Sequence, residues 1–122
     1  MTRILVVDDV ADNSFLLQTL LECEGYQVDV ADSGWEALVK MESAPPDLVL
    51  LDIMMPGMSG YEVAHRIRQN HQLDSVPILF VTGYDSPAAA INDPVQFTGV
   101  IRKPVEVDSL VMQVQAALDQ DE

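Results

Sequence analysis

The stretch Arg3-Ile-Leu-Val-Val-Asp-Asp-Val10 sets four apolar residues directly before two adjacent carboxylates, Asp8 and Asp9. A continuous, β-branched-rich run of this length fits a strand covered on both faces, as in a parallel sheet. Two neighbouring acids at the end of such a strand repel each other. They mark either a solvated turn or a site that concentrates negative charge, and the rest of the chain decides between these.

Similar runs recur at residues 48–51 and 78–81, with shorter ones at 28–31 and 99–101. Between them lie segments with helical periodicity. Phe15, Leu16, Leu20 and Cys23 are placed to share one face of a helix from near Asp12 to Gly25. Ser33-Gly-Trp-Glu36 and Ser59-Gly-Tyr-Glu62 read as capping boxes, in which a hydroxyl caps the helix and a Glu reaches back. A last helix is expected from Glu106 to Asp119, with Leu110, Val111, Val114 and Leu118 inward. Strand and helix alternate five times, which indicates a doubly wound α/β sandwich with helices on both faces. The fourth helix is expected to be short or irregular. Ser86-Pro87 suits its start, but Asn92-Asp93-Pro94 stops it early. Residues 1–122 read as one domain, with a frayed acidic tail at 119–122.

Composition narrows the function. Nearly half of the 122 residues are apolar, which excludes disorder as the default. Six basic residues against 20 acidic ones give a net charge of −14, the wrong sign for neutralising nucleic-acid phosphates. The balance suits metal cations and basic partner surfaces. Cys23 is the only cysteine, so no internal disulfide forms and a reducing, cytoplasmic setting is expected. No secretory pattern opens the sequence, and no run approaches the roughly 18 to 20 apolar residues of a membrane span.

Ligands of open α/β sheets bind outside the carboxyl ends of the strands. Asp8 and Asp9 follow the first run, Asp52 the third, Thr82 the fourth and Lys103-Pro104 the fifth. Separate segments thus deliver three carboxylates, a hydroxyl and an ammonium to one edge. Lys103 is one of two lysines, the other being Lys40 on a predicted outer helix. Three clustered carboxylates raise one another's pKa, and a divalent cation relieves them. Hard oxygen donors accompanied by waters suit Mg²⁺ or Mn²⁺. Asp52 is then a candidate nucleophile toward phosphorus, forming an aspartyl phosphate. Lys103 and Thr82 would neutralise and position the phosphoryl oxygens.

These residues carry a resemblance. The chain resembles the receiver domain of two-component response regulators over essentially its whole length. The matching stretches are Leu5-Val-Val-Asp-Asp9 with Asn13 after it, Asp52-Ile-Met-Met-Pro-Gly-Met-Ser-Gly60, Val81-Thr-Gly83 and Lys103-Pro104. The resemblance implies a flavodoxin-like, five-stranded parallel sheet of order 2-1-3-4-5. It implies that Asp52 is the phosphoacceptor and that Asp8, Asp9, Asp52 and the Met54 backbone carbonyl hold Mg²⁺. Thr82 and Lys103 would contact the phosphoryl group and link it to a conformational switch. The implied partners are a histidine kinase or histidine phosphotransfer protein and a downstream protein target, with no direct nucleic-acid contact and no membrane insertion.

Two departures stand out. Val100 occupies the position where the family usually carries an aromatic that changes rotamer, and the interrupted fourth helix falls on the same output face. A readout other than the aromatic-coupled one is therefore expected. Met54 and Tyr84 stand where the family tunes phosphoryl lifetime, and their bulk implies slow hydrolysis. A small aspartyl-phosphate phosphatase is the competing enzyme class. Such enzymes usually place an acid/base Asp two residues after the nucleophile, where this chain has Met54. A degenerate receiver that only binds partners is the other alternative, and the intact acidic cluster argues against it. With no helix-turn-helix after Glu122, the sequence as it stands is not expected to be a transcription factor. It fits a single-domain regulator, a phosphorelay intermediate or a piece of a larger protein.

The remaining distinctive side chains have plainer readings. Met54, Met55 and Met58 lack the soft partners of a metal site and read as loop packing. His65 and His71 read as surface residues, Trp35 as a flank of the second helix, and Cys23 as core.

Overall fold

The computed structural model describes residues 2–83 and 98–119. The order of elements is β1 (Arg3–Val7), α1 (Ala11–Cys23), β2 (Gln27–Ala31), α2 (Gly34–Ser43), β3 (Leu48–Asp52), α3 (Gly60–Gln69), β4 (Ile78–Thr82), β5 (Gly99–Arg102) and α4 (Val107–Asp119). The helix expected after Ser86, with Tyr84, falls outside the described residues, as does the tail beyond Asp119.

All four strand pairings are parallel, in the order β2-β1-β3-β4-β5. This is the flavodoxin-like order expected. The continuous apolar runs now have their reason, because successive side chains of each central strand enter different cores. On one face Leu5, Val7, Val49, Leu51 and Phe80 pack with Ala37, Met41, Val63 and Ile67 of α2 and α3. On the other, Ile4, Val6, Leu48, Leu50 and Leu79 pack with Leu17 and Leu21 of α1 and Leu110 and Val114 of α4. Every residue of β3 and β4 is buried, whereas the edge strand β2 exposes Gln27 and Asp29.

The serine hydroxyls of both capping boxes cap their helices as expected. The Glu36 amide donates to Ser33 Oγ at 3.1 Å, and the Glu62 amide to Ser59 Oγ at 3.3 Å. Glu36 reaches back to the Asp32 amide at 2.7 Å, one residue beyond the expected cap position.

The phase of α1 differs from the expected one. Its buried residues are Ser14, Leu17 and Leu21, while Phe15 (69% exposed), Leu16 and Cys23 face outward. Two apolar stripes overlap on this helix, and its entry selects between them. The amides of Asn13 and Ser14 both donate to the Val10 carbonyl just beyond β1. Ser14, small and bonded to the Ala11 carbonyl, lets the backbone lie close to the sheet. In α4, Leu110 and Val114 turn inward as expected, Val111 and Leu118 are only half-buried, and Ala117 completes the buried stripe. Trp35 opens α2 largely exposed, with the Arg66 guanidinium 4.9 Å from its ring centre. Met55 and Met58 are buried in the loop after β3, as expected, whereas Met54 is exposed.

Candidate functional site

The carboxyl ends of β1, β3, β4 and β5 meet at one edge. Asp8 follows β1, and its amide donates to the Ala31 carbonyl at 3.1 Å, which extends the β1–β2 ladder by one step. Its side chain is almost completely buried. The Val10 amide donates to Asp8 Oδ1 at 2.9 Å, so the turn toward α1 itself orients the carboxylate. Asp9, one residue on, is exposed at the rim.

Asp52 is the last residue of β3 and is held in register with Val81. Its side chain is 6% exposed. Thr82 ends β4 and is buried, opposite Arg102 in the ladder. The Lys103 amide donates to the Thr82 carbonyl at 2.8 Å, which starts the Lys103 side chain from the sheet edge. Lys103 Nζ then lies 3.5 Å from Asp8 Oδ2 and 3.5 Å from Asp52 Oδ1. The Lys103–Pro104 peptide bond is cis.

All six residues named from the sequence are at this edge. One carboxylate oxygen from each of Asp8, Asp9 and Asp52 lies within 4.8 Å of the others. Asp9, Asp52, Met54 and Lys103, together with Val10 and Gly83, line an open cleft of about 360 Å³. Asn13 does not line this cleft. It borders a neighbouring apolar slot of about 210 Å³, together with Leu16, Lys103 and Pro104.

The electrostatics follow from the crowding. Burial first, then the Asp8 charge, push the Asp52 carboxyl up from 3.8 to about 6; Lys103 and a hydrogen bond from the Met54 backbone pull it down, and Asp9 adds a push upward. One ammonium shared between two buried carboxylates leaves negative charge in excess, which a hard divalent cation is suited to meet. The donor set of carboxylate oxygens in an open cleft fits Mg²⁺ or Mn²⁺, which keep several waters and take few protein ligands.

Two supporting residues were not legible as such. Val10 acts only through its amide, which the sequence does not distinguish from any other. Gly60 was read as part of a capping box, yet a Cβ on it would stand 2.3 Å from the Asp52 carbonyl oxygen and 2.8 Å from Ile53 Cα. Its amide donates to the Ile53 carbonyl at 2.9 Å. The start of α3 thus presses on the backbone that carries Asp52, and only glycine permits that approach.

The chain as a whole has counterparts among known proteins. The family profile described as response regulator receiver domain matches residues 4–115. The protein PilH of Pseudomonas aeruginosa is 30% identical over 119 residues, covering 97% of this chain and 98% of PilH. The transcriptional regulatory protein ResD of Bacillus subtilis is 40% identical over 118 residues, 96% of this chain but 48% of ResD. The chain therefore spans nearly all of one relative and about half of the other. Among solved structures, the chemotaxis protein CheY4 of Vibrio cholerae superposes with a TM-score of 0.91 at 32% identity, covering 96% of this chain and 98% of CheY4.

Proposed function

The chain belongs to the response regulator receiver family, a family of signalling domains, and on that premise we propose that Asp52 is its phosphoacceptor. The observation that carries the proposal is the placement of Lys103 Nζ, 3.5 Å from both Asp8 and Asp52, beside three carboxylates whose oxygens converge.

In this reading an ionised Asp52 oxygen attacks the phosphorus of a phosphohistidine on a histidine kinase or histidine phosphotransfer protein. The new O–P bond forms as the N–P bond breaks, and its electron pair leaves with the imidazole. Lys103 turns its ammonium from Asp52 to the incoming phosphoryl oxygens, and the Thr82 hydroxyl holds a second oxygen at the end of β4. Asp8, Asp9, Asp52 and the Met54 carbonyl are the residues that would hold Mg²⁺ or Mn²⁺. The bound ion supplies positive charge where the transferring group develops negative charge. Slow loss of the group follows when water attacks phosphorus and Asp52 leaves as the carboxylate. The chain thereby supports its own phosphorylation and dephosphorylation without acting on other substrates.

We read residues 1–122 as one receiver unit that presents its altered surface to a downstream protein. A charge of −14 disfavours direct nucleic-acid contact. Among the described residues no helix is long and apolar enough to cross a membrane. The proposal places the reaction in the cytoplasm, where a lone exposed thiol such as Cys23 stays reduced.

The test is Mg²⁺-dependent labelling with a small phosphodonor, read by intact mass. One added phosphoryl group is expected on the wild type, none on Asp52→Asn, and none after chelation of the metal. Labelling that persists in Asp52→Asn overturns the assignment.

A further inference from the structure

Among the described residues β2 borders the sheet, and its outer edge carries a side-chain clasp. In the β1–β2 ladder the Gln27 amide donates to the Thr2 carbonyl, and the Ala31 carbonyl accepts from the Asp8 amide. Residues 27 and 31 therefore turn their peptide groups toward β1. Because these groups alternate along a strand, Val28 and Val30 turn theirs away from the sheet. An edge of this kind is a template for another strand.

At Val30 both outward groups are already taken. The Val30 amide donates to Asp29 Oδ1 at 2.9 Å, and the Val30 carbonyl accepts from Lys40 Nζ at 2.5 Å. Lys40 Nζ and Asp29 Oδ1 are themselves 3.3 Å apart. The lysine reaches over from α2, so the clasp joins a helix to the sheet border rather than lying along one strand. It differs from a plain surface ion pair, which contributes little. Its two partners occupy the donor and the acceptor that an incoming strand would use.

We infer that Asp29 and Lys40 form an edge lock that keeps β2 from pairing with β2 of a second copy of this chain. An added strand bonds at alternate residues, so it needs the groups of Val28 and Val30 together. With Val30 occupied, the template is reduced to one residue.

The test uses the double variant Asp29→Ala/Lys40→Met in the full chain. It removes one charge of each sign, so the net charge stays at −14 and any association cannot come from reduced repulsion. In dilute solution the Val30 amide is expected to exchange with deuterium at least about ten-fold faster than in the wild type. At high concentration the variant is expected to sediment as a larger species while the wild type does not, and the Val28 and Val30 amides become protected together. The Lys40→Arg variant keeps a donor at the same place and should behave as the wild type. Unchanged exchange at Val30 in the double variant overturns the lock. So does a variant that stays monomeric at every concentration, or one that associates without protecting Val28 and Val30.

Discussion

Lys103 Nζ lies 3.5 Å from Asp52 Oδ1, and the same nitrogen lies 3.5 Å from Asp8 Oδ2. One ammonium thus bridges the ends of β1 and β3 from a loop that follows β5. The bridge exists because the Lys103 amide continues the β4–β5 ladder by donating to the Thr82 carbonyl, which sends the side chain across the strand ends. The ammonium ends a long side chain that is 27% exposed, while the two acids are buried at the strand ends. On the proposed function, that asymmetry would let Lys103 exchange a carboxylate for a phosphoryl oxygen without moving the strands.

Replacing Lys103 with Met is expected to raise the Asp52 carboxyl further above about 6, since Lys103 is the chief influence holding it down. An opposite charge this close lowers a carboxyl by roughly a unit or more. Carboxyl-carbon NMR titration of the metal-free protein reads the shift, and the yield of phosphodonor labelling should fall with it. An unmoved Asp52 titration would contradict the bridge.

Asp52→Asn is expected to stabilise the metal-free protein at pH 7.5. The folded state holds the Asp52 proton more tightly than the unfolded chain, with about 6 against 3.8. The resulting stabilisation is complete below 3.8 and is lost as pH rises through 6, so the ionised carboxylate is a burden at neutral pH. The size is roughly 2 to 3 kcal/mol at about 1.36 kcal/mol per unit. Urea unfolding at pH 7.5 and near pH 4 should show a gain for the variant that shrinks at the lower pH. An equal gain at both would trace to packing instead.

Gly60→Ala should destabilise the protein by about 1–3 kcal/mol or more, the usual cost of forcing a methyl into a filled space. The atoms it meets are backbone, the Asp52 carbonyl oxygen at 2.3 Å and Ile53 Cα at 2.8 Å, and neither can swing aside. Urea unfolding measures the loss. Because the strain falls on the strand end that carries Asp52, labelling by a phosphodonor should slow as well. A fully stable variant would mean that α3 shifts freely.

Met54 is 60% exposed and lines the cleft beside Asp52. On the proposed function, its side chain is placed to shield the path of the water that would release the phosphoryl group. Met54→Ala is expected to speed hydrolysis of the phosphorylated protein by about two-fold or more, which corresponds to about 0.4 kcal/mol or more of barrier. Loss of the added mass with time, followed after removal of the phosphodonor, gives the rate. An unchanged rate would assign the shielding to other residues.

Much of this was legible without coordinates because it depends on patterns that survive local variation. Strands buried on both faces need uninterrupted apolar runs, and the parallel topology requires helices between them, so the five runs announced the sheet. The same logic placed Asp8, Asp9, Asp52, Thr82 and Lys103 at one edge, since residues after parallel strands share the carboxyl end. The phase of α1 was not legible, because Phe15 and Leu16 are as apolar as Leu17 and Leu21. The turn held by Val10 chose which stripe faced the sheet. The expected burial of Cys23 failed for the same reason.

By itself, then, the sequence determined the layer order of the sandwich and the chemical inventory of its site, because hydrophobic period and strand-end position are one-dimensional properties. The tertiary structure alone decided the quantities that give the site and the edge their behaviour. These are the sharing of Lys103 between Asp8 and Asp52, the pressure of Gly60 on the end of β3, and the reach of Lys40 to the Val30 carbonyl. Each depends on distances of a few ångströms between segments far apart in the chain, and such distances are set only when the helices dock on the sheet.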